Sequence, residues 1–174
     1  MNLKRILTAE FGSSGGQTSR SLIMKLAEAL SIRKDLQMRI EQLRSRLTSN
    51  VRVQEDEAPY EQPEELMQEL DSCLNQWQKW IYCINVTNMR TVVNGKTLTQ
   101  MQAEREVLTK RVSILRSVFE TASQMGRYSR SEIRMVTVID VKALRKNIDK
   151  LSKQLRELDV SIQAINFTTD VIEE

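Results

Sequence analysis

No histidine occurs anywhere in the 174 residues. Its absence removes Ser–His and Cys–His nucleophile activation and the Glu-x-x-His ligand sets of helical di-iron proteins. Carboxylates remain, and Glu104, Glu106, Glu132 and Asp140 have the chemistry for proton transfer. The ordinary reading of each is a solvated helix face or a helix cap. Outside an amino-terminal cluster, glycine occurs only at Gly95 and Gly126, both placed for turns, so there is no glycine-rich phosphate loop. Cys73 and Cys83 fall in one predicted helix, ten residues apart. That spacing turns them to different faces and makes a disulfide between them geometrically implausible. They read as buried, reduced thiols of a cytoplasmic protein. The expectation is a chain without catalysis, cofactor, metal or small-molecule substrate.

Other side chains suit recognition. Arg127, Arg130 and Arg134, with Tyr128 among them, offer guanidiniums to an anion and a ring for stacking. Their spacing is not a specific motif, and the ordinary reading is a loop that pairs with the acidic stretch Glu55–Asp71, within the chain or across a subunit boundary. Asn88 and Arg105 stand where helical seams call for apolar residues, and a buried, hydrogen-bonded Asn or Arg at such a position fixes register or partner choice. On the other reading, Arg105 snorkels from an edge and Asn88 caps a frayed end. Trp77 belongs to a seam and is a core candidate. Trp80 lies off it, which makes it a candidate interface residue. Lys and Arg total 26 against 23 acidic residues, and a net +3 so small and interspersed does not by itself argue for a nucleic-acid partner.

These residues sit on elements that announce themselves by period. Val141, Leu144, Ile148, Leu151, Leu155, Leu158, Ile162 and Ile165 alternate three- and four-residue steps, the seam of a coiled-coil-like helix. Leu98, Met101, Arg105, Leu108, Val112, Leu115, Phe119 and Ala122 form a second seam, interrupted by arginine. Leu66, Leu70, Cys73, Trp77, Ile81, Ile84 and Asn88 form a third. A fourth amphipathic helix is predicted over about 22–50, with Ala29, Ile32, Leu36, Ile40, Leu43 and Leu47 on its apolar face.

Local signals set the boundaries. Pro59, Pro63 and the run Glu55-Asp56-Glu57 require an exposed linker, and Pro63 suits the first turn of a helix over about 63–90. Asn94-Gly95 predicts a tight turn between Val92-Val93 and Lys96-Thr97. Thr97 with Gln100 predicts a capping box at the start of the third helix, which Gly126 ends. Asp140 is a good cap for the fourth. Val51–Gln54 and Ile133–Ile139 read as short strands that could pair into a β-ribbon at one end of the bundle. The predicted fold is all-α: an elongated antiparallel four-helix bundle, or a pair of long helical hairpins, with a small β-ribbon. Residues 1–23, with Gly12, Gly15 and Gly16 among serines, read as a disordered tail or as a mis-assigned leader before a start at Met24; residues 24–174 form a single helical domain. No apolar run reaches the roughly 20 residues that cross a bilayer.

Met24–Leu30, Asn50–Glu55, Ile84–Asn88, Arg127–Arg134 and Glu157–Asp159 with Ile162, Gln163 and Asn166 are the chain's distinctive motifs. Together they resemble the septicolysin-like family of small helical bacterial proteins. Position 167 looks more usually like tryptophan in that family, and Phe167 departs from it. The resemblance implies self-association, up to a hexameric ring, and the family's name implies a membrane-active cytolysin. It also implies a start at Met24.

The reading that emerges is a self-assembling structural or interaction protein that makes homo-oligomers. The alternative, carried by the family name, is a membrane-active toxin, and a nucleic-acid-binding module comes third. Mixed charge and the lack of an aromatic belt on the first helix argue against a membrane partner. Because the glycine-rich segment has no apolar face to bury, a chain shortened to begin at Met24 is expected to keep the thermal midpoint of the full chain, read by circular dichroism. A large loss would show that residues 1–23 pack on the helices.

Overall fold

Three of the four helices start where the sequence supplies a start, while the first begins at Leu26, later than the expected position near 22 and without a side-chain cap. The computed structural model describes residues 24–123 and 136–173. Helix α1 spans Leu26–Asn50 and α2 spans Pro63–Arg90, with Pro63 in the first turn, where its missing N–H costs no bond. Asn94 and Gly95 adopt positive φ and close a hairpin of β1 (Val92–Val93) and β2 (Lys96–Thr97). Helix α3, Leu98–Ser123, opens on the expected capping box: the Thr97 N–H donates to Gln100 Oε1 at 2.8 Å, and the Gln100 N–H donates to Thr97 Oγ1 at 3.1 Å. Helix α4, Val141–Thr168, is capped by Asp140, whose carboxylate accepts the Ala143 N–H at 2.9 Å.

Helices α1 and α2 pack antiparallel along their length, as do α3 and α4, while α1 meets α4 and α2 meets α3 over much less. The result is two helical hairpins, or arms, sharing one junction. At the junction lie the start of α1 (Leu26, Ala29), the end of α2 (Trp80, Cys83, Ile84), the start of α3 (Leu98, Met101) and the end of α4 (Ile162, Ile165). Beyond it each arm thins to a single seam. Leu43, Leu66 and Cys73 are buried in the first arm, and Val112, Ile148 and Leu151 in the second. With helices of 25 to 28 residues rising about 1.5 Å each, an arm is roughly 40 Å long. The α4 seam therefore packs inside the chain, and it carries no argument for a coiled coil between copies.

A strap follows α4 and ties the junction. The Leu26 N–H donates to the Thr169 carbonyl and the Val171 N–H to the Met24 carbonyl, both at 2.9 Å, so residues 24–26 and 169–171 pair across the chain. Lys25 pairs with Asp170, and Lys79 with Glu173 at 2.7 Å. The Ile172 N–H donates to Oγ1 of Thr87, a fully buried threonine whose own hydroxyl donates to the Cys83 carbonyl at 2.7 Å.

The expected ribbon between Val51–Gln54 and Ile133–Ile139 is not present among the described residues; the small sheet is the Val92–Thr97 hairpin instead. Residues 133–135 lie outside the described set. Residues 51–54 are exposed and irregular because the link from α1 to α2 is closed locally, without an edge to pair on. Buried Asn50 accepts the Glu61 N–H at 3.0 Å and donates to the Arg46 carbonyl at 2.9 Å. Arg46 in turn donates to Glu61 through two guanidinium nitrogens. That pairing holds the Glu61 carboxyl below the ordinary carboxylate range. Its contribution is present at neutral pH and lost as the pH falls through the lowered value.

Thr87→Val keeps the shape of the side chain and removes the acceptor for Ile172. A loss of about 1–2 kcal/mol is expected in denaturant unfolding, with faster amide exchange over 169–173. Unchanged exchange there would show that the strap is held without Thr87.

Candidate functional site

Groups capable of recognition fall on three surfaces. The first is the junction's polar rim. Asn88 is buried, and its amide donates to Gln102 Oε1 at 3.5 Å, a long bond across α2 and α3; its Oδ1 has no partner among the described residues. Asn88 is thus a buried polar residue between two helices, not a frayed cap. Arg105 does not reach it. The guanidinium lies 3.8 Å from Asp159 on α4, with side chains 46% and 41% exposed, so this arginine sits at an edge of the second arm and leaves its seam position to solvent.

Trp80, expected off the seam as an interface residue, is buried in the junction core, whereas seam residue Trp77 is only partly buried. The reason is geometric. Where α2 has both α1 and α3 as neighbours, it must bury a second stripe, and Trp80, Cys83 and Thr87 at steps of three and four supply it. That spacing was readable in the sequence and marks where a helix gains a second neighbour. Of the remaining expected site residues, Arg127, Tyr128, Arg130 and Arg134 lie outside the described residues.

A second surface is the open groove between α3 and α4, about 610 Å³, lined in part by Thr109, Ser113, Arg116, Ser117 and Ser152. Arg116 donates to Ser152 Oγ at 3.3 Å. The serine hydroxyls here have no imidazole to activate them, since the chain has none. Among the described residues no group of three or more carboxylates and thiols is placed to hold a metal ion.

The third surface is the outside of the arms. On α3, Val107, Ile114 and Val118 are 59%, 52% and 40% exposed, and Val107, Lys110, Arg111, Ile114 and Leu115 line a shallow trough of about 300 Å³. On α2, Met67 and Leu74 are 45% and 38% exposed, and on α4, Val160 and Phe167 are 66% and 70% exposed. Three of the four helices therefore show large apolar side chains seven residues apart on a solvent face, a pattern that single scattered apolar residues do not produce. Phe167 is one of these exposed side chains.

Comparison with known proteins places the chain. A family model described as "Family of unknown function (DUF6847)" matches residues 33–171, and the chain belongs to that family. A solved structure described as a functionally unknown conserved protein from Corynebacterium diphtheriae is 34% identical, with a TM-score of 0.81, covering 86% of this chain and 99% of that one. No curated protein matches. The resemblance to a septicolysin-like family is thereby overturned, since neither the family model nor the solved relative points to it. Two of the motifs behind that resemblance have roles in the architecture here: Asn50 closes the α1–α2 link, and Ile84, Thr87 and Asn88 build the junction.

Because an exposed ion pair contributes little, Arg105→Leu is expected to change unfolding free energy by less than about 0.5 kcal/mol while leaving helicity intact. A loss several times larger would show that Arg105 holds α3 to α4.

Proposed function

We propose that this chain is a helical interaction protein that associates with copies of itself through the outer faces of its arms and catalyses no reaction. The observation that carries the reading is the exposed stripe Val107, Ile114 and Val118 on α3, in an arm with few fully buried side chains. Two antiparallel helices bury one seam between them, and an apolar stripe on the far side of either helix remains in water until another layer covers it. Association between copies covers it without any opening of the junction, and leaves the many charges of the arms solvated.

The membrane-active alternative lost its support with the family resemblance on which it rested. No described helix is long and apolar enough to cross a membrane, and insertion of an arm would carry Lys110, Arg111 and Arg116 into the lipid boundary with the stripe. The nucleic-acid reading rests on Arg127–Arg134, and it ranks below self-association because the spacing of Arg127, Arg130 and Arg134 is not a specific motif.

Static light scattering of the purified chain is expected to give a mass that is a whole multiple, greater than one, of 20.2 kDa. The same sample at micromolar concentration is expected to release no dye from lipid vesicles. A monomer that empties the vesicles would overturn the proposal.

A further inference from the structure

We infer that the face covering the α3 stripe is the outer face of α2 on a second copy of this chain. The inference rests on the self-association proposed above and specifies its contact. Met67 and Leu74 on α2 are seven residues apart and exposed, as are Val107 and Ile114 on α3. Seven residues of α-helix rise about 10.5 Å, so two such pairs can stand opposite each other in one register.

The charges between them are opposite. Aligned antiparallel, Met67 faces Ile114, Leu74 faces Val107, and Asp71 falls opposite Lys110; aligned parallel, Asp71 falls opposite Arg111. Either orientation sets an apolar residue on an apolar residue and an acid on a base. The complementarity extends beyond these positions. Residues 53–78 contain eight acidic side chains and no Lys or Arg, whereas residues 105–116 contain four basic side chains against one acidic. Inside the first arm, Arg46 and Arg39 already occupy Glu61 and Glu69. Asp71, Lys110 and Arg111 make no ion pair with any described residue.

Within one chain the stripes cannot meet. Helices α2 and α3 are joined by a tight hairpin, and Met67 lies 23 residues before the end of α2, whereas Val107 lies nine residues after the start of α3. At about 1.5 Å per residue these positions are roughly 35 Å and 14 Å from their helix ends. The contact therefore belongs to two molecules. It joins different faces, so it either occurs twice in a twofold dimer or repeats head to tail.

Charge reversal tests the pairing. Glu64→Lys with Asp71→Lys makes one variant, and Lys110→Glu with Arg111→Glu the other; all four positions are exposed, so helicity by circular dichroism should be unchanged. Each variant alone is expected to associate at least tenfold more weakly than the wild type in light scattering. An equimolar mixture should recover the wild-type mass, because each variant then finds the opposite charge on the other. If the wild type is oligomeric and both variants keep its mass, or if the mixture fails to recover it, this contact is wrong while self-association stands. A wild type that is monomeric at every soluble concentration overturns both. A monomer that binds a DNA duplex through Lys110 and Arg111 would assign the α3 stripe to a polyanion instead.

Discussion

A helix with one neighbour buries one stripe, and a helix with two neighbours buries two. That constraint organises this molecule, because its four helices are neighbours in a ring only at the junction, where the start of α1, the end of α2, the start of α3 and the end of α4 converge. There the apolar face of α2 widens from Leu66, Leu70 and Cys73 to include Trp80, Cys83 and Ile84. Away from the junction each helix keeps a single neighbour. The arms then resemble isolated hairpins, marginal structures whose stability comes from one seam and from the junction that anchors them.

The polar groups follow the same division. At the junction several bonds run across the chain, although Asn88 Oδ1 stays without a partner among the described residues: Thr87 accepts the Ile172 N–H, Lys25 reaches Asp170 and the Thr168 carbonyl, and Lys79 reaches Glu173. These bonds join segments more than eighty residues apart in sequence. Along the arms the ion pairs are exposed and short in sequence range or join the two helices of one hairpin, as in Arg39 with Glu69 and Arg105 with Asp159. Exposed pairs of this kind set alignment more than stability.

Thin arms around a firm junction also explain where function is to be sought. Neither the groove between α3 and α4 nor the junction rim assembles a nucleophile with a base, and the family to which the chain belongs carries no assigned activity. What the arms do present is apolar side chains at helical spacing with charge of opposite sign on the two hairpins: acidic on α2, basic on α3. Under the self-association proposed above, such a surface would recognise a helix of a second copy, with specificity in the sign and spacing of the charges between the apolar contacts.

The starts of α2, α3 and α4, the Asn94-Gly95 hairpin and three of the four seams were determined by sequence alone, because a proline in the first turn, a capping threonine or aspartate and a three-to-four period are local physics that no distant contact needs to complete; α1 has no such signal, and its start at Leu26 is set where residues 24–26 pair with 169–171. The same locality explains what sequence could not reach. Period identifies the face that is buried and not how many neighbours bury it, so Trp80 has the sequence signature of an interface residue although α3 covers it within the chain. An arginine in a seam looks the same whether it is buried or at an edge; only the course of α4 placed Asp159 near Arg105 and left both in solvent. Val51–Gln54 had the composition of a strand but no edge to join, since Asn50 and Arg46 close the link around Glu61. Which faces remain open for a partner is likewise a tertiary fact, because a stripe is exposed only by the absence of a neighbour, and neighbours are decided by the fold.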